Sequence, residues 1–347
     1  MSPFRLARPA PWLLLSSLLP MAGAAAEPAV ILGSETRLLV REGASYRLRL
    51  EGTESNLSLP ANVRIDDLYS LSPQALISGV VTAEARSGDG DGDELFLGFV
   101  DSGGLRELPP PPGRHGRMTR ENAVPIAGPS GDLTAVAWLE GPSRRANAVR
   151  VAAWDGRRFA EPTEVASAGP GSQVALAAAT LDDGSALLVW ARFDGVDDEI
   201  FWSRFVDGSW SEPGRLAADN AVPDVVPAVV AVPGGALAAW SRFEGGQYRV
   251  AVAKFENGGW GEPAAIGDPG TLFPTLARSE RGALLLYQSS RPRGWTVVEL
   301  SSDGREARRV QIETAERSRP IASADRLLWA ERSLELTWLE TATGAKP

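Results

Sequence analysis

Cysteine is absent from the 347 residues, and histidine occurs once, at His115. The first absence removes both a disulfide framework and a thiol nucleophile. The second removes the zinc sites that take two or three histidines. A serine-histidine-aspartate triad would have to use the same residue, which lies in the loop "PPPPGRHGR", Pro109–Arg117, and no GxSxG stands in an elbow context. His115 therefore reads as an exposed loop residue. Positive charge is also short. Lys and Arg number 35 against 44 Asp and Glu, a net of -9 that becomes -11 without Arg5 and Arg8. Such a surface discourages nucleic acid and anionic membranes as partners.

Long apolar runs are missing too. "PWLLLSSLLP", Pro11–Pro20, follows Arg5 and Arg8 and precedes the small-residue stretch "MAGAAAE". Positive, apolar, small is the order of a secretory signal peptide, and the run is too short to span a bilayer. Cleavage is expected after Ala24 or Ala26, which makes residues 1–26 a signal peptide and places the chain in the periplasm or outside the cell. No later segment is apolar enough to cross a membrane, and no cysteine follows to carry a lipid.

What the sequence does have is repetition. "SRFVDGSWSEP", Ser203–Pro213, recurs fifty residues later as "AKFENGGWGEP", Ala253–Pro263. Trp190 and Trp240 are also fifty apart, Trp138 stands 52 before Trp190, and Tyr287 and Trp329 follow Trp240 at 47 and then 42. A period of 40 to 50 residues suits a propeller blade or some helical repeats. Short apolar runs punctuated by Gly, Pro, Asp and Asn favour strands. The 36 glycines and 26 prolines argue against helices.

Four short antiparallel strands per unit is the propeller arrangement. Counting by second strands gives "ALISGVV" from Ala75, "TAVAW" from Thr134, "ALLVW" from Ala186, "ALAAW" from Ala236, "ALLLY" from Ala283 and "RLLWA" from Arg326. The expected fold is an all-β six-bladed propeller of four-stranded antiparallel sheets over residues 61–340, with five or seven blades left open because the first unit has diverged. The last unit ends on its third strand, "SLELTWLE", Ser333–Glu340. "SYRLRLE", Ser45–Glu51, within an N-terminal segment 27–60, is expected to supply the missing fourth strand. Residues 341–347 form a tail.

Asp207, Gly208 and Trp210, with a weaker copy at Asn257, Gly258 and Trp260, loosely fit the Asp box between third and fourth strands. On these residues the chain resembles the bacterial sialidase-like propellers with BNR or Asp-box repeats, and less closely the fucose-binding lectin propellers. The spacing departs from the motif, since Ser203 stands four before Asp207 where the family has two. The resemblance implies a propeller whose active face is opposite this turn. A structural role is expected for the turn: Asp or Asn accepts its amides, Gly supplies positive φ, and the indole wedges against a sheet. Sugar stacking is the alternative.

The second-to-third-strand loops share the other rim, and each carries an arginine: Arg86, Arg144, Arg192, Arg242, Arg291 and Arg332. Converging guanidinium forks would hold an anionic group. Glu84, Glu140, Asp194, Glu244 and Glu331 stand close by, so solvated ion pairs are the simpler reading. In "SGDGDGDE", Ser87–Glu94, Asp89, Asp91 and Asp93 are either a weak structural calcium site or an acidic turn. No other cofactor is indicated. A sialidase would need three arginines on a carboxylate, a tyrosine nucleophile with a glutamate, and an aspartate. Yet of the four tyrosines Tyr46, Tyr69, Tyr248 and Tyr287, neither Tyr248 nor Tyr287 has a recognisable glutamate partner, and Tyr69 falls in the innermost strand of the first unit. The expected function is a non-catalytic, monomeric envelope or secreted propeller that binds a protein or glycan through its loop rim. A sialidase-like glycoside hydrolase is the alternative, and no catalytic residue is assigned.

Overall fold

The computed structural model describes residues 30–335 except 35, 51, 61, 83–91, 114–117, 144–145, 170, 219, 315–318, 323–325 and 330–332. The chain is an all-β propeller of antiparallel sheets arranged around a channel. Each of the six units counted in the sequence is one radial sheet, and the residues before them add a further sheet to the ring.

In chain order, blade 1 holds β1 (Val30–Gly33), β2 (Arg37–Glu42), β3 (Ser45–Leu50) and β4 (Thr53–Asn56). Blade 2 holds β5 (Val63–Ser70), β6 (Ala75–Val81), β7 (Glu94–Asp101) and β8 (Gly104–Glu107). Blade 3 holds β9 (Thr119–Ala127), β10 (Leu133–Gly141), β11 (Ala148–Ala153) and β12 (Thr163–Ala166). Blade 4 holds β13 (Gln173–Thr180), β14 (Ala186–Phe193), β15 (Asp198–Val206) and an outer strand in two pieces, β16 (Ser209–Trp210) and β17 (Gly214–Arg215). Blade 5 repeats that plan with β18 (Asp224–Val232), β19 (Gly235–Glu244), β20 (Gln247–Glu256), β21 (Gly259–Trp260) and β22 (Ala264–Ala265). Blade 6 holds β23 (Thr271–Ser279), β24 (Gly282–Ser290), β25 (Arg293–Ser301) and β26 (Glu306–Glu313). Blade 7, as far as it is described, holds β27 (Ile321–Ala322), β28 (Arg326–Leu328) and β29 (Ser333–Glu335).

The aromatic landmarks that marked the repeat fill the gaps between blades. Trp138, Trp190 and Trp240 are 0% exposed, all on second strands. Trp190 packs on Ala137, Leu139, Val149 and Val151 of blade 3. Trp240 does the same against Val189, Ala191 and Ile200 of blade 4, and Tyr287 against Leu237, Val250 and Val252 of blade 5. Burying one such side chain contributes on the order of 2 to 3 kcal/mol, so the period in the sequence is the period of the interblade core.

The N-terminal segment departs from expectation. Ser45–Leu50 does not complete the last blade; it pairs with β2 on one side and β4 on the other. The physical reason is local. A two-residue turn at Gly43, with φ +59°, joins β2 to β3, and a short hairpin costs far less loop-closure entropy than a pairing across the whole chain. Blade 1 then meets its neighbours through apolar faces. Ile31, Leu38 and Val40 pack with Leu327 and Trp329 of blade 7, and Leu39, Tyr46 and Leu48 pack with Ile65 and Leu68 of blade 2.

The repeated turn joins the third strand to the outer one. Asp207 and Gly208 have φ of +53° and +82°, and Asn257 and Gly258 have +52° and +84°, the pattern of a type I′ hairpin turn. Trp210 pairs across with Phe205, and Trp260 with Phe255. Beyond the turn in blade 4, Ser211 bridges the break in the outer strand. Its hydroxyl accepts the Arg204 amide at 3.1 Å, and its own amide donates to the Arg204 carbonyl at 2.9 Å.

Candidate functional site

Second-to-third-strand loops and interblade connections share one rim. Two of the rim arginines named from sequence, Arg192 and Arg242, lie near the ends of second strands, two positions beyond a buried tryptophan. Arg242 donates to both oxygens of Asp224, at 2.9 and 2.8 Å, with its guanidinium carbon 5.5 Å from the centre of the Trp240 ring. The hydrogen bonds it donates to Asp224 hold the Arg242 pKa above its ordinary value. Arg192 lies over Phe201 at 4.8 Å and opposite Gln173, whose side-chain oxygen accepts the Trp190 indole N–H at 2.5 Å. Arg291 is exposed in the β24–β25 turn. Arg86, Arg144 and Arg332 lie outside the described residues, as do His115, Asp89 and Asp91. Asp93 is described, and its main-chain carbonyl accepts the Arg120 amide at 2.9 Å. Among the described residues no group of three or more acidic or histidine side chains is placed to hold a metal ion.

Blade 3 carries the same device with its charges reversed. Arg120 opens the inner strand, is 1% exposed and bonds Glu140 at 2.5 Å over the Trp138 ring. Its other nitrogens donate to the carbonyls of Pro111 and Pro112, at 2.5 and 2.9 Å, and approach Glu94 at 3.5 Å. One buried guanidinium thus fixes the described part of the proline-rich loop to the rim. Sequence reasoning passed over Arg120, although the position two beyond each tryptophan, Glu140, Arg192 or Arg242, was a readable signal.

Between blades 4 and 5 the rim is strongly acidic. Asp194, Asp197, Asp198, Glu199 and Asp224 gather there with Arg192, Arg215 and Arg242. Burial alone would raise the Asp194 pKa. The amides of Val196 and Asp197 and the Arg215 guanidinium, 2.5 Å away, more than offset it and leave the carboxyl below its ordinary value. Asp198, 4% exposed, has a buried oxygen without a hydrogen-bond partner among the described residues. Its pKa is pushed up to about 7, first by burial and then by Asp197 and Asp194. Glu199, 1% exposed, is pushed to about 7 by burial and by Asp224. Burial and Asp198 together raise the pKa of Tyr248. At the tip of this turn Val196 is 76% exposed.

The central channel is a concavity of 1150 Å³ lined from all seven blades. Its polar residues include Asp67 and Tyr69 of blade 2 and Arg319 at the entrance to blade 7. Burial raises Asp67, and burial with Asp67 raises Tyr69 well above the usual phenol value. Asp182 and Arg278 form a 3.3 Å ion pair between blades 4 and 6. Four inner strands are bulged at one level, at Asn122, Ala175, Val226 and Phe273, all with φ between +52° and +58°. For Val226 and Phe273 that conformation is strained. Asn122 fastens two of these bulges together, its side-chain oxygen accepting the Leu176 amide at 2.7 Å.

No family model and no curated protein matches the chain. Among solved structures it is similar to a protein of unknown function from Dyadobacter fermentans, at 11% identity and a TM-score of 0.55, over 87% of this chain and 93% of that one. It is also similar to polysaccharide lyase Uly1, at 13% identity and a TM-score of 0.55, over 88% and 87%. At these identities the likeness is one of fold, and the fold is the β-propeller.

Proposed function

We propose that the chain is a non-catalytic β-propeller, exported to the periplasm or beyond, that binds a protein or glycan partner through its loop rim. The observation that carries this reading is the rim of blades 4 and 5, where five carboxylates outnumber three guanidiniums around an exposed Val196. Near pH 7 Asp198 and Glu199 are only about half ionised, and Asp224 and Asp194 are paired with Arg242 and Arg215, so a small net negative charge orients the partner while the projecting Val196 gives it something to bury. Export rests on the signal-like residues 1–26, which lie outside the described residues.

A sialidase-like glycoside hydrolase is the second reading, favoured by the pKa values near 7 of Asp198 and Glu199, the range of a working acid or base. Against it, Tyr69 and Tyr248 are pushed away from the phenolate that a nucleophile requires. The test runs fluorogenic glycosides, a sialoside included, beside a glycan array and an envelope pull-down. Capture without turnover, weakened by Val196→Asp, is the expected result. Hydrolysis abolished by Asp198→Asn or Glu199→Gln would select the enzyme.

A further inference from the structure

On the same rim, between blades 1 and 2, lies a cleft of 430 Å³, within the range of small-molecule sites. Arg41, Tyr46, Leu57, Leu59, Asn62 and Arg64 line it. Arg41 stands directly across from Tyr46 in the β2–β3 pairing, and the Tyr46 hydroxyl accepts the Ile65 amide of blade 2 at 3.3 Å. The cleft wall is therefore fixed to both blades.

Charge accounting leaves an unpaired cation in this cleft of an acidic chain. Glu42 is occupied by Arg47 at 2.5 Å, and Asp66 by Arg64 at 3.1 Å. Arg242 has its fork closed by Asp224. The Arg41 side chain makes no hydrogen bond or ion pair among the described residues, and the residue is half-buried beside leucines. A guanidinium in that position is an unspent two-point donor for an oxyanion, and Leu57 and Leu59 offer an apolar wall for the body attached to it.

We propose that this cleft binds a small acidic saccharide, with its carboxylate or sulfate on Arg41 and its ring against Leu57 and Leu59. The inference rests on the rim-binding reading and names one ligand class for it. The purified chain is titrated with glucuronate, glucose 6-sulfate and glucose, followed by calorimetry and ligand-observed NMR. At least one acidic sugar binds, glucose does not, and binding weakens as salt screens the contact. Arg41→Gln lowers the affinity about tenfold or more, about 1.4 kcal/mol, and Arg41→Lys restores part of it. Melting temperature serves as the folding control and is unchanged, because the Arg41 side chain has no described partner to release while its ladder pairing is kept. No binding by either acidic sugar, equal binding by glucose, or an Arg41→Gln protein that binds like the parent overturns the proposal. If the acidic sugars fail while a partner is still captured at Val196, the cleft is refuted and the rim reading stands.

Discussion

Arg242 and Asp224 close a two-bond fork, at 2.9 and 2.8 Å, beside the indole of a fully buried Trp240. Asp224 is itself 0% exposed, so the pair is part of the blade's closure at the rim. Removing the arginine alone leaves a buried carboxylate without its cation, which costs about 3 kcal/mol. Arg242→Ala is therefore expected to lower the urea midpoint clearly, and adding Asp224→Ala should recover much of the loss. Additive losses in the double variant would show that the two residues are not coupled.

Arg120 makes the same argument more severely, because two glutamates and two proline carbonyls depend on one guanidinium that is 1% exposed. Arg120→Met is expected to cost about 3 to 5 kcal/mol. Amide exchange at Leu108 and Gly113, which flank the four prolines, should rise together with the fall in stability. Unchanged exchange there would mean that the loop is held by something else.

Asp198 and Glu199 hold folded-state pKa values of about 7, against about 4 in an unfolded chain. Between those values the folded protein carries more protons than the unfolded one, so stability is fullest at acid pH and declines as pH rises through 7. Melting temperatures measured from pH 5.5 to 8 should fall, and Asp198→Asn should flatten the slope. Asp194, whose pKa is lowered, acts in the opposite sense only below the ordinary carboxylate range. A slope identical in parent and variant would remove Asp198 from the titration.

The Asp207–Gly208 turn and the Trp240 core should differ sharply in sensitivity. A methyl group added at Gly208 meets nothing within 4 Å, so Gly208→Ala carries only the strain of φ +82°, about 1 to 2 kcal/mol. Trp240→Ala empties an interblade core position and is expected to cost about 3 to 5 kcal/mol. Chemical denaturation of both variants reads this directly, and equal losses would contradict it.

The fold was legible where a blade presents an aromatic at the interblade face, as at Trp138, Trp190, Trp240 and Tyr287, because a large buried ring leaves a countable spacing. Blade 1 escaped that count. It fills the same kind of gap with Leu38, Leu39 and Val40, and its outer strand Thr53–Asn56 is wholly exposed. An alternating strand such as Ser45–Leu50 states its two faces but not its partners, and pairing depends on the hairpin at Gly43. The rim arginines were legible as a regular series, but their partners were not. Arg242 bonds the inner-strand residue Asp224 rather than Glu244, two positions along its own strand, because a directly paired cross-strand side chain stands about 5 Å away and one two positions along the same strand about 7 Å. Arg41 was invisible for the same reason as blade 1.

Photocrosslinking tests the central claim most directly, because the exposed large apolar residues among those described lie on opposite faces: Val196 on the loop rim, Phe205 and Val206 at the repeated turn. A diazirine amino acid placed at 196 or at 206 is irradiated in the presence of envelope extract, and adducts are resolved as protein or glycan. Adducts at 196, suppressed by excess unlabelled protein and scarce at 206, are the result expected of a binder that works through its rim. Adducts confined to 206 would contradict it.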